Sequence, residues 1–278
     1  MRYLASKIWF QGNHKAVIFS LFSNAIKMTR FKDKVVVVTG GARDIGKAIS
    51  IKFAAEGATV VLNYCHSEKE AQETLTTIQQ MNGNVILCKA DLTKATQVRN
   101  LVAIATDNGS RKIDILINNA GGLIARKKLK EQDEDFYDAV MDVNFRSLFL
   151  VTQGFSEKIN PNGAIINLSS LAVRDGGGGG SSLYAASKGA ISTYTKALAK
   201  ELGPEKIRVN AVCPGLIDTT FHDTFTAAEI RKKVVEGTPV RREGKPQDIA
   251  NLVAFLASDE AAFITGANYD INGGIGFS

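Results

Sequence analysis

The chain has 278 residues, of which 45% are hydrophobic and 22% charged, an ordinary composition for a globular protein with a substantial core. Its formal charge of +6 is spread along the chain without long basic blocks, which favours small anionic ligands over nucleic acid. Its three cysteines, Cys65, Cys88 and Cys213, lack metal-ligand or CxxC spacing. We therefore expect reduced, buried thiols, no metal site and a cytoplasmic location.

The first 27 residues differ from the rest. Their apolar run, residues 16–22, is far shorter than the ~20 residues that a membrane span needs, and no small-residue cleavage site follows it. Met28 stands directly before a regular pattern of strands and helices. We predict that residues 1–27 are an extension outside the fold, that one domain covers residues 28–278, and that the protein does not associate with membranes.

From residue 35 onward, short apolar strands alternate with helical patterns. Strands are predicted at residues 35–38, 60–62, 85–88, 113–117, 164–168, 207–212 and 268–271. Helices are predicted from residue 45 to a stop at Gly57, at 67–81, between 92 and 113, and at 133–159, 183–202 and 246–256. Wholly apolar strands in this order indicate an α/β protein with a doubly wound parallel sheet of about seven strands, covered by helices on both faces.

A glycine-rich loop, Thr39 to Gly46, follows the first strand and opens the first helix. Amides at a helix N-terminus favour a pyrophosphate, and glycine lets the backbone approach such a ligand closely. The loop therefore predicts a dinucleotide site.

This loop resembles the Thr-Gly-x-x-x-Gly-x-Gly motif of the short-chain dehydrogenases/reductases, and further matches cover almost all of residues 33–278. The stretch Asn118-Asn119-Ala120-Gly121 is similar to the motif that follows the fourth strand in that family, and Pro214-Gly215 to the loop after the sixth. Ser170, Tyr184 and Lys188 resemble its catalytic residues, and Asn144 resembles its helix asparagine. The resemblance implies a Rossmann-type domain, an NAD(P)-dependent oxidoreductase acting on CH–OH groups, and a homotetramer or homodimer.

Tyr184 and Lys188 are four residues apart and would share one face of a helix, where the lysine ammonium is expected to lower the pKa of the tyrosine. The resemblance implies that Tyr184 exchanges a proton with the substrate and that Lys188 also holds the nicotinamide ribose. It further implies that Ser170 binds the carbonyl and that Asn144 orders a water. Ser169 is the alternative serine. A serine hydrolase is disfavoured because none of the three histidines stands where a catalytic triad would need it.

Cofactor choice depends on the end of the second strand, which carries no acid between Leu62 and Ser67 to bind a ribose 2′-hydroxyl. Arg43 stands where many NADP-preferring members have a basic residue, so we expect NADPH to be preferred over NADH. Asp91 resembles the family's adenine-contacting aspartate. The residues predicted to contact the cofactor are Gly40, Arg43, Asp44, Ile45, Gly46, Asn63, Tyr64, His66, Ser67, Asp91, Leu92, Asn118, Ala120, Gly121, Tyr184, Lys188, Pro214, Gly215, Ile217 and Thr219.

The sequence departs from the family motif at Asp44, which replaces the middle glycine of the loop. A carboxylate aimed at two phosphates would weaken cofactor binding. We therefore predict that Asp44 points away from them and caps the first helix.

The substrate region is predicted after the fifth and sixth strands, with the glycine run 176–180 as a flexible wall and residues 217–223 as the start of a lid. Several stretches resemble reductases that act on keto-aldehyde sugar acids, the unsaturated-uronate products of alginate. We therefore expect reduction of a small anionic sugar acid, with contacts from Arg126, Arg174, Gly176 and His222. The same stretches also resemble 3-oxoacyl-carrier-protein reductases and sugar 1-dehydrogenases, and a non-catalytic dinucleotide-binding regulator is a more remote alternative.

Overall fold

The structure is a computed structural model that describes residues 29–277. The predicted extension, residues 1–27, and its boundary at Met28 lie outside the described residues. Within the described part, no helix has both the length and the apolar character needed to cross a membrane.

Strands and helices alternate along the described chain. The strands are β1 (Val35–Val38), β2 (Thr59–Tyr64), β3 (Asn84–Lys89), β4 (Ile113–Asn118), β5 (Ile159–Leu168), β6 (Arg208–Pro214) and β7 (Asn268–Ile271). The helices are α1 (Asp44–Ala55), α2 (Glu68–Gln80), α3 (Ala95–Ala105), α4 (Glu134–Met141), α5 (Ser147–Phe155), α6 (Ala172–Asp175), α7 (Ser182–Leu202), α8 (Thr220–Phe225), α9 (Ala228–Gly237) and α10 (Pro246–Ala257).

All seven strands form one parallel sheet in the order β3-β2-β1-β4-β5-β6-β7. The central strand β1 pairs with β2 on one side, where Val36 lies opposite Val60, and with β4 on the other, where Val36 lies opposite Ile115. The order reverses between β1 and β4, as in a doubly wound sheet. The predicted fold class is confirmed.

The core lies on both faces of the sheet because successive strand residues point to opposite sides. Val36 and Val38 of β1 pack on the face that α1, α2 and α10 cover, whereas Val35 and Val37 pack on the face covered by α3, α5 and α7. A strand that is buried on both faces must be apolar throughout. This requirement explains the unbroken Val35–Val38 run that identified β1 in the sequence.

Two regions differ from the predicted elements. The single helix expected at residues 133–159 is divided into α4 and α5 by a π-helical turn, Asp142–Arg146, and β5 already begins at Ile159. The lid helices α8 and α9 were not predicted. Both helices are short, at six and ten residues, and neither contains a buried residue, so each offers few apolar positions by which a helix is recognised in a sequence.

Candidate active site

The candidate site lies at the carboxyl ends of the strands, next to the reversal of strand order between β1 and β4. Open α/β sheets bind ligands in the crevice that forms at such a point. The glycine-rich loop leaves β1, residues 119–122 leave β4, Ser169 and Ser170 leave β5, and Gly215 follows β6. The predicted motifs therefore converge on one edge of the sheet.

The glycine-rich loop passes so close to neighbouring backbone that side chains cannot be accommodated. Gly40 has a φ of +60°, and a Cβ on it would lie 3.1 Å from the Cα of Ala120. A Cβ on Gly46 would lie 2.0 Å from the carbonyl oxygen of Gly40. These glycines let the loop fold tightly against itself and against residues 119–120 before α1 begins, and the amides at a helix N-terminus are suited to a pyrophosphate.

Two side chains that the sequence analysis did not single out hold this loop in place. The Thr39 hydroxyl accepts hydrogen bonds from the amides of Asn119 (2.9 Å) and Ala120 (3.0 Å). The Asn119 side chain donates to the carbonyl oxygens of Thr39 (2.9 Å) and Gly40 (3.0 Å). Both residues belong to motifs that the sequence analysis recognised. Their place in these motifs is the signal from which a positioning role could have been predicted.

Three residues predicted to contact the cofactor have side chains that turn into the protein. Asn63 accepts from the Gly40 amide and donates to carbonyl oxygens at the end of β3, so it supports the loop from beneath. The Tyr64 hydroxyl donates to Glu68 (2.7 Å). Asn118 donates to Thr152 and Asn167 in the core. Each of these side chains binds an internal polar partner, so the cofactor contacts predicted for Asn63, Tyr64 and Asn118 stay a prediction for their backbone atoms.

The expected capping of α1 by Asp44 is also wrong. The Asp44 carboxylate accepts from the backbone amide (3.1 Å) and the hydroxyl (2.6 Å) of Thr220, the first residue of α8, and no side chain caps the start of α1. Arg43 donates to the same hydroxyl and lies 3.4 Å from Asp44. A φ of +51° at Asp44 accompanies this arrangement and places the residue in the left-handed region.

The remaining predicted cofactor residues lie around the same crevice. At the adenosine end, the Asp91 carboxylate accepts from the amide and hydroxyl of Thr93. Burial tends to raise the pKa of Asp91, but these hydrogen bonds outweigh it and lower the pKa overall. His66 is exposed and Ser67 partly exposed after β2, Leu92 is buried beside Asp91, and Ile45 and Ala120 are partly exposed. The Cys65 sulfur lies 3.4 Å from His66, and this thiol is partly exposed, unlike buried Cys88 and Cys213.

At the opposite end, residues after β6 form the base of the lid. A Cβ on Gly215 would lie 2.7 Å from Asn272, so this position also requires close backbone packing. Pro214 is partly exposed, and Ile217 is buried and bridges to Gly244. The Thr219 hydroxyl donates to the carbonyl oxygen of Ile217 (3.1 Å), directly before α8 begins.

The predicted catalytic residues come together at the ends of β5 and α7. Ser170 lies next to the phenol of Tyr184, and its hydroxyl accepts from the Ala172 amide (3.1 Å). Lys188 lies one turn beyond Tyr184, with its ammonium 5.9 Å from the centre of the tyrosine ring. The alternative serine, Ser169, is buried and bonds to Lys188 backbone and Ser192, so the structure brings Ser170 and not Ser169 to the tyrosine.

Burial dominates the ionisation of this pair. It lowers the pKa of Lys188 to about 8 and raises the pKa of Tyr184, although the neighbouring Ser170 hydroxyl opposes the latter effect. The Lys188 ammonium donates to the carbonyl oxygen of Leu168 (2.7 Å) and not to the phenol. The expected lowering of the tyrosine pKa by the lysine is therefore not found in this structure.

Asn144 lies in the π-helical turn and connects it to the loop after β4. Its side chain accepts from the Gly122 amide (3.0 Å) and donates to the carbonyl oxygens of Gly122 and Val140 (3.0 Å each). Gly121 permits this contact, because a Cβ there would lie 2.7 Å from the Asn144 oxygen and 3.3 Å from the Lys188 ammonium. The turn therefore lets Asn144 position the loop beside Lys188.

The wall that faces the catalytic tyrosine is aromatic. The ring of Phe221 in α8 is centred 6.1 Å from that of Tyr184, and Phe225 and His222 pack against Phe221. Burial lowers the pKa of His222 to about 4, and the positive charges of Arg231 and Arg126 add to this effect, so the imidazole is neutral at pH 7. Phe221 and Phe225 were not among the residues predicted to surround the substrate.

The arginines predicted to bind an anionic substrate have structural partners. Arg126 donates to the carbonyl oxygens of Phe225 (2.9 Å) and Gly179 (3.0 Å), and Arg174 pairs with Asp270 (3.3 Å). Gly176 ends α6 with a φ of +81° and is exposed. The prediction that the two arginines serve a substrate carboxylate is not supported, because their guanidinium groups connect elements of the fold.

Comparisons with known proteins agree with this arrangement. Residues 40–276 match the family model described as enoyl-(acyl carrier protein) reductase. The chain is 39% identical over 250 residues to an uncharacterised oxidoreductase of Methylorubrum extorquens, covering 89% of this chain and 100% of the relative. It is 36% identical to a 3-oxoacyl-[acyl-carrier-protein] reductase of Synechocystis over 89% of this chain and 99% of the relative.

A solved structure is similar at the level of the fold as well. A short-chain dehydrogenase of Burkholderia cenocepacia in complex with NADP is 34% identical, with a TM-score of 0.82, and the match covers 88% of this chain and 99% of that one. The sheet order, the converging motifs and these comparisons lead to one conclusion: the chain belongs to the short-chain dehydrogenase/reductase family and is an NAD(P)-dependent oxidoreductase.

Proposed function

We propose that the protein reduces the carbonyl group of a neutral, apolar-bodied ketone with NADPH and that Tyr184 supplies the proton. The observation that carries the proposal is the grouping of Ser170, Tyr184 and Lys188 beside the glycine-rich loop, with an aromatic and uncharged wall opposite the tyrosine. A regulator that only bound a dinucleotide would have no need of the three catalytic side chains.

The described residues fit a nicotinamide dinucleotide along the crevice. The tight glycine loop before α1 offers its backbone amides to the pyrophosphate, Asp91 retains one carboxylate oxygen without a hydrogen bond for an adenine amine, and Lys188 lies where the ribose next to the nicotinamide would have to pass. When bound, the reduced cofactor supplies the hydride that the carbonyl carbon accepts.

The protein's own residues provide the remaining chemistry. Ser170 donates a hydrogen bond to the substrate oxygen and holds it beside the phenol. Tyr184 stays protonated at neutral pH because burial raises its pKa, so it can donate a proton to that oxygen. Lys188 has a pKa of about 8 and can return a proton to the tyrosine after each turnover. Asn144 fixes the loop at residues 121–122 beside the lysine.

The preference for NADPH is supported by the end of β2. Glu68 is the nearest acid after this strand, and it accepts hydrogen bonds from Tyr64 (2.7 Å) and Lys89 (2.9 Å). No carboxylate between Leu62 and Ser67 is available for a ribose 2′-hydroxyl. Arg43 is exposed at the mouth of the crevice, and its guanidinium would pair with a 2′-phosphate by turning from Thr220.

A neutral substrate is supported by the surroundings of Tyr184. Phe221 and Phe225 supply apolar contact area, His222 is uncharged at pH 7, and Arg126 is bonded to two carbonyl oxygens. Binding a carboxylate beside an aromatic wall without a committed cation would cost desolvation energy. A 3-oxoacyl thioester is the second candidate, favoured by the 36% identity to the Synechocystis reductase.

The test compares substrates under the same conditions. Purified protein is given NADPH with a bicyclic aromatic ketone, an acetoacetyl thioester or a keto-aldehyde uronate, and kcat/KM is measured for each. We expect the aromatic ketone to be the best substrate. A higher kcat/KM for the uronate would overturn the neutral-substrate proposal, and a higher value for the thioester would establish the second candidate. Tyr184→Phe serves as the control that turnover comes from this site.

An oligomer is supported by an exposed aromatic surface on α4, α5 and α7. Tyr137 and Phe149 are exposed there, and the ring of Tyr194 packs against those of Phe145 and Phe149. A second copy of the chain would bury these rings. Light scattering of Phe149→Glu against the parent protein tests this proposal, since a charge in the contact should reduce the molar mass.

A further inference from the structure

Hydrogen bonds to Asp44 attach helix α8 to the glycine-rich loop. The Thr220 hydroxyl donates to one Asp44 oxygen (2.6 Å) and accepts from Arg43, while the Thr220 amide donates to the other Asp44 oxygen (3.1 Å). We call two of these residues, Asp44 and Thr220, the Asp44 clasp. They join parts of the chain 176 residues apart in sequence.

The backbone at Asp44 explains why this position tolerates an aspartate. Its φ of +51° lies in the left-handed region, which glycine adopts freely and which Asp and Asn adopt more readily than other side chains. An aspartate can therefore replace the motif's glycine without changing the path of the loop. The carboxylate that it adds contacts α8.

Helix α8 extends from the glycine-rich loop to the catalytic tyrosine. Thr220 contacts Asp44, and the ring of the next residue, Phe221, is centred 6.1 Å from that of Tyr184. A dinucleotide with its pyrophosphate at Gly40 and its nicotinamide near Tyr184 must run along this line. Its path therefore lies beneath α8.

Other arginines hold the rest of the lid. Arg126 binds the carbonyl oxygen of Phe225 at the end of α8, and Arg231 in α9 pairs with Asp218, Asp223 and Glu243. The start of α8 depends on the clasp, since its first amide and hydroxyl both bind Asp44.

We propose that Asp44 is a positioning residue: the Asp44 clasp holds α8 closed over the bound dinucleotide, and the clasp must open before the cofactor leaves. The proposal rests on the cofactor-binding part of the proposed function and is independent of which carbonyl is reduced. The clasp predicts that the Asp44 carboxylate slows the release of the cofactor. Simple repulsion between this carboxylate and the phosphates would speed the release instead.

Release of NADPH tests the proposal directly. Protein loaded with NADPH is mixed with excess NADP⁺, and the loss of NADPH fluorescence gives the dissociation rate. We expect Asp44→Gly and Thr220→Val each to raise this rate roughly 5- to 30-fold, the factor that a loss of about 1–2 kcal/mol produces, because these hydrogen bonds are exposed to solvent. Thr220→Ser keeps the hydroxyl and should release NADPH at the parent rate, as should Thr224→Val, which makes the same replacement one turn later in α8.

The combination of variants identifies the contact. Because Asp44 and Thr220 act through one contact, the double variant should release NADPH little faster than either single variant. Asp44→Asn keeps one acceptor oxygen, replaces the other with an NH2 donor and removes the charge, so it should release NADPH no more slowly than the parent protein. Slower release from Asp44→Gly or Asp44→Asn would overturn the proposal in favour of charge repulsion. An equal acceleration of NADPH release by Thr224→Val would also overturn the proposal, because the effect would then come from a general loosening of α8.

A second measurement needs neither cofactor nor substrate. Hydrogen exchange of the α8 amides should be about tenfold faster in Asp44→Gly than in the parent protein, because the Thr220 amide loses its acceptor. Unchanged exchange would show that the clasp does not form. A protein that exchanged as expected but reduced none of the three test substrates would refute the proposed function and leave the clasp intact.

Discussion

The buried ammonium group of Lys188 is expected to lower the free energy of unfolding of the protein at neutral pH. Its side chain is buried, and burial lowers its pKa from 10.5 to about 8, so at pH 7 the native protein holds a charge in an unfavourable place. This lowering of the pKa on folding destabilises the native state by about 3 kcal/mol at neutral pH. The perturbation that removes this cost is Lys188→Met, which keeps the length of the side chain and removes its charge.

The net effect of Lys188→Met follows from two opposing contributions. The variant loses the hydrogen bond to the Leu168 carbonyl oxygen, which contributes about 1–2 kcal/mol. It also removes the buried charge and the destabilisation that this charge causes. At pH 7 we therefore expect the free energy of unfolding to rise by about 1–2 kcal/mol, while turnover falls by roughly 10²-fold or more because proton return to Tyr184 is lost.

The sign of the stability difference should reverse with pH. Between about pH 8 and pH 10.5 the unfolded parent chain keeps a proton on Lys188 that the native protein has lost, so the stability of the parent rises with pH. Above this window only the lost hydrogen bond remains, and the variant should be less stable than the parent by about 1–2 kcal/mol.

Urea unfolding followed by circular dichroism from pH 6.5 to pH 10.5 measures these differences. Lys196→Met is the matched control, because Lys196 is exposed on the same helix, and its effect should stay within about 0.5 kcal/mol at every pH. A variant that is less stable than the parent at pH 7, or a difference that does not change with pH, would refute the reasoning.

Three further predictions concern the active site. Tyr184→Phe should lower kcat by about 10²–10⁴-fold and leave the NADPH dissociation constant nearly unchanged in a fluorescence titration, and near-parent turnover would remove Tyr184 from the mechanism. Arg43→Ala should reduce the ratio of kcat/KM for NADPH to that for NADH about tenfold; an unchanged ratio would restrict Arg43 to its contact with Thr220. Phe221→Ala should lower kcat/KM for a bicyclic ketone roughly tenfold to a hundredfold. Phe263→Ala, at an exposed position, should leave kcat/KM unchanged, and equal losses in the two variants would contradict the aromatic wall.

The architecture and the position of the catalytic centre could be predicted because they depend on local patterns. Val35–Val38 had to be apolar throughout to be buried on both faces of a parallel sheet, and this pattern is visible in four consecutive letters. Tyr184 and Lys188 share a helix face at any position in a fold, and glycines at 40 and 46 mark close backbone approach wherever they occur. The π-helical turn at Asn144 was missed because its residues continue an otherwise helical pattern.

Predictions failed where a polar side chain had several possible partners. Asp44 could have capped its own helix, and Arg126 and Arg174 could have remained available to a ligand. In the structure their partners are Thr220, the carbonyl oxygens of Phe225 and Gly179, and Asp270. Each of these partners is more than 50 residues distant in sequence, so no local pattern indicated it.

The sequence by itself therefore determined the doubly wound sheet, the glycine-rich loop and the candidate catalytic side chains, because periodicity, glycine spacing and helix geometry act over short stretches of chain. Only the tertiary structure decided that the lid is held by Arg43, Asp44 and Arg126 and that the wall facing Tyr184 is aromatic and uncharged. Hydrogen bonds and ion pairs form between whichever groups the packed elements bring within about 3 Å, and that proximity exists only after the sheet and its helices have assembled.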